Sequence, residues 1–101
     1  MSESLTGIYR TMTDSFRERP PLVLIVDDEA TIRLMTRRFL EHAEFMGVDA
    51  ASGAAAQKQI ERIDPDIILL DVDMPGMDGF ELTRWIRGRS TTRSTPIVMI
   101  T

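Results

Sequence analysis

Two stretches of the chain are almost wholly apolar, Leu22-Val23-Leu24-Ile25-Val26 and Ile67-Ile68-Leu69-Leu70, and each runs straight into aspartate. Continuous runs of this length, without alternation, suit strands covered on both faces. Leu22 to Asp27 and Ile67 to Asp71 are therefore predicted strands. Pro96 opens another, Ile97-Val98-Met99-Ile100-Thr101. Phe45 to Ala50 is a weaker strand, whose polar breaks suit a sheet edge. Helical spacing fills the intervals. Glu29 to Ala43 places Ile32, Met35, Phe39 and Ala43 along one face, with arginines elsewhere. Gly53 to Ile63 is an alanine-rich helix with Ala56, Ile60 and Ile63 inward, ended by Asp64-Pro65-Asp66. Asp78 to Arg87 is a third helix, with Asp78 as N-cap and Phe80, Trp85 and Ile86 available to pack. Gly88 to Thr95 is a polar loop. The order β-α-β-α-β-α-β predicts an α/β fold, a parallel sheet with crossover helices.

The first 19 residues follow another pattern. Leu5, Ile8, Tyr9, Met12 and Phe16 form one apolar stripe at helical spacing. Gly7 weakens the helix. Arg19-Pro20-Pro21 ends it, since residues before proline avoid helical angles. An amphipathic extension over 1–19 and a domain over 20–101 are expected.

Length and composition narrow the field. A chain of 101 residues allows one small domain. Its net charge of -4, with both signs mixed along the chain, argues against a dedicated nucleic-acid surface. There is no cysteine, which removes disulfide and thiol chemistry and is compatible with the cytoplasm. No apolar stretch is long enough to cross a bilayer, and no signal peptide is recognisable. The single histidine, His42, falls where the first helix should end, a common surface position without catalytic meaning.

The candidate chemistry lies at strand ends. If the two apolar runs are neighbouring parallel strands, Asp27 and Asp28 meet Asp71 at one edge of the sheet, where open α/β sheets hold their sites. Such carboxylates repel one another unless a cation joins them, and a hard divalent ion is the natural one. Asp71 is the candidate nucleophile for a phosphoryl group. Asp27 and Asp28 would hold Mg2+, the backbone carbonyl of Asp73 could add a ligand, and the Thr101 hydroxyl could reach a phosphoryl oxygen. Each feature has a bland reading: an acidic run that caps the next helix, an aspartate in a turn, a Pro-Gly turn at Pro75-Gly76. Their joint occurrence at successive strand ends outweighs those readings.

Val26-Asp27-Asp28-Glu29, then Leu69-Leu70-Asp71-Val72-Asp73-Met74-Pro75-Gly76-Met77-Asp78-Gly79, then Pro96-Ile97-Val98-Met99-Ile100-Thr101 resembles a response-regulator receiver domain across residues 21–101. The resemblance implies a flavodoxin-like, doubly wound sheet of strand order 2-1-3-4-5. It implies that Asp71 accepts phosphate from a histidine kinase or phosphotransfer protein. It also implies Asp27 and Asp28 as the acidic magnesium pair, Asp73 as a carbonyl ligand and Thr101 as the switch hydroxyl. Receivers continue through a further helix, a fifth strand carrying a lysine, and a fifth helix. The single lysine here, Lys58, falls in the predicted second helix. A receiver incomplete after its fourth strand is therefore expected, not an enzyme on an external substrate.

Two other functions compete. One is a receiver-derived interaction module that is not phosphorylated and pairs through exposed edges, for which a homodimer is the common closed form. The other is a phosphatase, because Asp71-Val72-Asp73 also resembles the first motif of haloacid-dehalogenase-like enzymes. Those need a downstream lysine and another acidic motif, which the residues after Asp73 do not supply.

Overall fold

A computed structural model describes residues 19–100. The proposed amphipathic stripe over residues 1–18 and the hydroxyl of Thr101 lie outside the described residues. The elements are β1 (Leu22–Val26), α1 (Ala30–His42), β2 (Met46–Ala50), α2 (Gly53–Arg62), β3 (Ile67–Asp71), α3 (Gly79–Arg87) and β4 (Ile97–Ile100). They alternate as the apolar pattern requires.

The four strands form one parallel sheet in the order β2-β1-β3-β4. Val26 sits opposite Ala50 on one side and Leu70 on the other. That register brings the C-terminal ends of β1 and β3 side by side. β1 is buried along nearly its whole length, while β3 is buried on one face, at Ile68 and Leu70, and half-buried on the other. On one face, Leu24, Val26, Ile68 and Leu70 pack with Ala56 and Ile60 of α2 and Leu82 and Ile86 of α3. On the other, α1 lies over β1 and β2. A Cβ on Gly47 would come within 2.9 Å of the Arg37 Cγ, so side chains of α1 close on the β2 backbone.

The face that α1 turns to the sheet differs from the expected one. Phe39 is 74% exposed and Met35 63% exposed, and α1 contains no buried residue. The half-buried positions are Arg33, Thr36, Arg37 and Leu40. On that face Asp49 of β2 pairs with Arg33 at 3.3 Å and with Arg37 at 3.5 Å, so the arginines and not the apolar stripe are tied to the sheet. Phe80, expected to pack, is also exposed, while Trp85 is half-buried and carries Arg89 over its ring at 4.7 Å.

The helix ends follow their sequences closely. The Ser52 side chain accepts from Ala55 N at 3.1 Å, and Asp78 accepts from Glu81 N at 2.9 Å. The polar loop after α3 is held by Arg87, whose Nη1 donates to the carbonyls of Thr92, Arg93 and Thr95. The buried Thr92 hydroxyl donates to the Ile86 carbonyl at 2.7 Å. These bonds satisfy carbonyls at a helix end and aim the chain into β4.

Candidate functional site

Three aspartates converge where the sheet register demands it. Asp27 follows β1, Asp28 comes next in the turn to α1, and Asp71 ends β3. One carboxylate oxygen from each lies within 4.8 Å of the other two. The backbone supports this gathering. Asp27 N donates to Ala50 O at 3.2 Å, and Val72 N donates to Ile100 O at 3.1 Å, so both chains stay in register past their strands. Ile100 thus ends β4 beside the loop that follows Asp71.

Each loop also folds onto its own aspartate. Glu29 N donates to Asp27 Oδ1 at 2.9 Å, and Asp73 N donates to Asp71 Oδ1 at 3.1 Å. These are Asx-type turns, the local bond that short acidic side chains favour. Asp73 itself is exposed, tied to Asp71 by its amide. Burial raises the pKa of Asp71 above its ordinary value. The Asp73 amide opposes that shift, and the charges of Asp27, Asp28 and Asp73 add to it.

Glycines let the loop after Asp71 close. Gly76 has φ +78, a left-handed turn conformation that follows Pro75. A Cβ on Gly79 would lie 2.8 Å from Asp71 O and 2.8 Å from Val72 Cα. Both are backbone atoms and cannot swing aside. Only glycine therefore allows the start of α3 to press on the end of β3, where Gly79 N donates to Val72 O at 3.1 Å. Met74, 5% exposed, plugs the loop into the core. Gly79→Ala should cost about 2 kcal/mol, in the range of overpacked cores, and displace the Asp71 loop. Urea unfolding measures the first effect, and the shift of the Asp71 and Asp73 amide resonances measures the second.

The structure thus brings Asp27, Asp28 and Asp71 together, with Asp73 beside them. It leaves His42 exposed at the far end of α1, among Arg38 and Glu41. Lys58 is exposed on α2, outside the carboxylate cluster. One contact was not legible from the sequence: Arg33 Nη1 donates to the Asp27 carbonyl at 2.8 Å. An arginine one turn into a helix is commonplace, and nothing in its spacing signals a bond back to the acidic turn.

The order β2-β1-β3-β4 with carboxylates at the ends of β1 and β3 matches known proteins. The response regulator receiver domain pattern matches residues 23–101. The chain belongs to the response-regulator receiver family. It is 47% identical over 81 residues to response regulator PleD of Caulobacter vibrioides, a match over 78% of this chain and 17% of that protein. It is 42% identical over 79 residues to the transcriptional regulatory protein ResD of Bacillus subtilis, over 78% of this chain and 32% of that protein. The chain therefore spans less than a third of either relative. Among solved structures, the chemotaxis protein CheY4 of Vibrio cholerae superposes with a TM-score of 0.77 at 38% identity, covering 79% of this chain and 67% of that one. The four parallel strands and three helices among the described residues are those of the flavodoxin-like fold. Among its described residues, no helix is long and apolar enough to cross a membrane.

Proposed function

We propose that this receiver is a phospho-acceptor module of a two-component phosphorelay, with Asp71 as the acceptor. The supporting observation is the convergence of Asp27, Asp28 and Asp71 within 4.8 Å, at the C-terminal edge of a parallel sheet. The donor set is all oxygen and carries excess negative charge, which fits Mg2+. Asp27, Asp28 and Asp71 would supply carboxylates to that ion, and Asp73 its backbone carbonyl. When bound, Mg2+ supplies neutralisation of the charge on the transferred group.

Asp71 acts as nucleophile. One of its carboxylate oxygens bonds to phosphorus as the bond from phosphorus to the donor's imidazole nitrogen breaks, and the imidazole takes up a proton from solvent. The donor is a histidine kinase or phosphotransfer protein. Thr101 would offer its hydroxyl to a phosphoryl oxygen. In this reading residues 20–101 are the receiver, residues 1–19 an extension, and the chain works in the cytoplasm. It turns over no external substrate and touches no nucleic acid or membrane itself.

The exposed apolar side chains of α1 and β4, Met35, Phe39, Val98 and Ile100, favour one alternative. In it the domain pairs as a homodimer without being phosphorylated. Beryllofluoride with magnesium separates the two readings, because it mimics an aspartyl phosphate. One equivalent should bind and shift the amide resonances of Val72 and Asp73. Unchanged spectra at saturating beryllofluoride would leave the interaction module as the better account.

A further inference from the structure

The two upstream aspartates are not held alike. Asp27 is fixed at three points: its N–H donates to Ala50 O at 3.2 Å, its Oδ1 accepts from Glu29 N at 2.9 Å, and its carbonyl accepts from Arg33 Nη1 at 2.8 Å. Asp28 is exposed. The third point is a side chain, and it is itself restrained. Arg33 Nε donates to Asp49 Oδ2 at 3.3 Å, while Asp49 Oδ1 lies 3.5 Å from Arg37 Nη1. The Arg33 side chain is 16% exposed and that of Asp49 32%, so the pair is partly sheltered from solvent.

The guanidinium therefore spans two elements. It joins the carbonyl of the acidic turn after β1 to a carboxylate on β2, from a helix that connects the two strands. A planar fork with several fixed donors suits such bridging, and a flexible ammonium does not. We propose that Arg33 is a positioning residue, which with Asp49 holds Asp27 as the rigid member of the metal-binding pair and leaves Asp28 as the adaptable one. This rests on the reading that Asp27, Asp28 and Asp71 hold magnesium. Outer partners that orient a metal's ligands commonly contribute about one order of magnitude in affinity.

The sign of the effect makes the idea testable. A positive charge near a cation site opposes cation binding. If Arg33 acted only through its charge, Arg33→Met would tighten magnesium binding. If it acted only on global stability, the variant would melt earlier and bind magnesium with unchanged affinity. Positioning requires that Arg33→Met weaken binding despite the lost repulsion, by about tenfold.

The experiment titrates the full chain with magnesium and follows the amide resonances. Arg33→Met should weaken affinity about tenfold, Arg33→Lys should not restore it, and Asp49→Asn should weaken it in the same direction while keeping the Arg33 charge. The double variant Arg33→Met, Asp49→Asn should bind no worse than Arg33→Met alone, because the two residues act through one contact. Tighter or unchanged binding in Arg33→Met overturns the proposal. Hydrogen exchange in the absence of metal supplies a second reading. The Glu29 amide, bonded to Asp27 Oδ1, should exchange faster in Arg33→Met and in Asp49→Asn, while the Val72 amide at the other strand end stays unchanged. Equal exchange at Glu29 in all proteins overturns the clamp. A wild-type chain that binds no magnesium would instead sink the metal reading, and the Glu29 exchange would still decide whether Arg33 fixes the turn.

Discussion

Incubation with acetyl phosphate and magnesium should add one phosphoryl group to this chain, on Asp71, and Asp71→Asn should take none. The strand behind Asp71 fixes its backbone, and the glycines in front let α3 close on it without covering the carboxylate. Its Oδ1 is occupied by the Asp73 amide at 3.1 Å, which leaves Oδ2 for attack. The Asp71→Asn side chain would keep the shape and the turn but lose the nucleophilic oxygen. Intact-mass spectrometry reads the outcome, and the adduct should vanish at alkaline pH as acyl phosphates do. Labelling that persists undiminished in Asp71→Asn would move the acceptor to another aspartate, with Asp27 and Asp28 the neighbouring candidates.

How far the sequence could be read depended on which physical term decided each element. The strands were legible because β1 is buried along nearly its whole length and β3 has no exposed position, so both carry unbroken apolar runs. The site was legible for the same reason: aspartates that end neighbouring strands must share an edge once the sheet is parallel. The cap at Asp78 and the turn at Gly76 follow from local chemistry alone, and the same chemistry makes Ser52 a cap, one not named from the sequence. The orientation of α1 was not legible. Periodicity identifies an apolar face but assumes that it is the buried one, and here the arginines that pair with Asp49 turn to the sheet instead. Asp49 lies 16 residues from Arg33 along the chain. Only the register of β2 against β1 places them together. The bond from Arg33 to the Asp27 carbonyl is hidden for the same reason, since it depends on how α1 is rotated.

Magnesium should reverse the order of stability between the wild-type chain and Asp71→Asn. Without metal, the folded state binds a proton at Asp71 more tightly than the unfolded chain does, because the folded pKa is raised from 3.8. Stability from this group is therefore greatest at low pH and is lost as pH rises from that ordinary value through the raised folded one. At neutral pH the charged Asp71 works against folding. Asp71→Asn should then be the more stable protein without metal, and its advantage should disappear below the ordinary carboxylate range. Saturating magnesium acts in the opposite direction, since an ion that binds only the folded state stabilises it by mass action. At about 100 times its dissociation constant the gain is about 2.7 kcal/mol, which for a domain of this size raises the melting temperature by about 10 °C or more. Asp71→Asn and Asp28→Ala should each keep only a fraction of that gain. Thermal melts across pH, with and without magnesium, measure all of these. Asp28 would not be a ligand if its alanine variant gained as much from magnesium as the wild type. A metal-free Asp71→Asn that melts below the wild type at neutral pH would show that crowding of the three carboxylates does not oppose the fold.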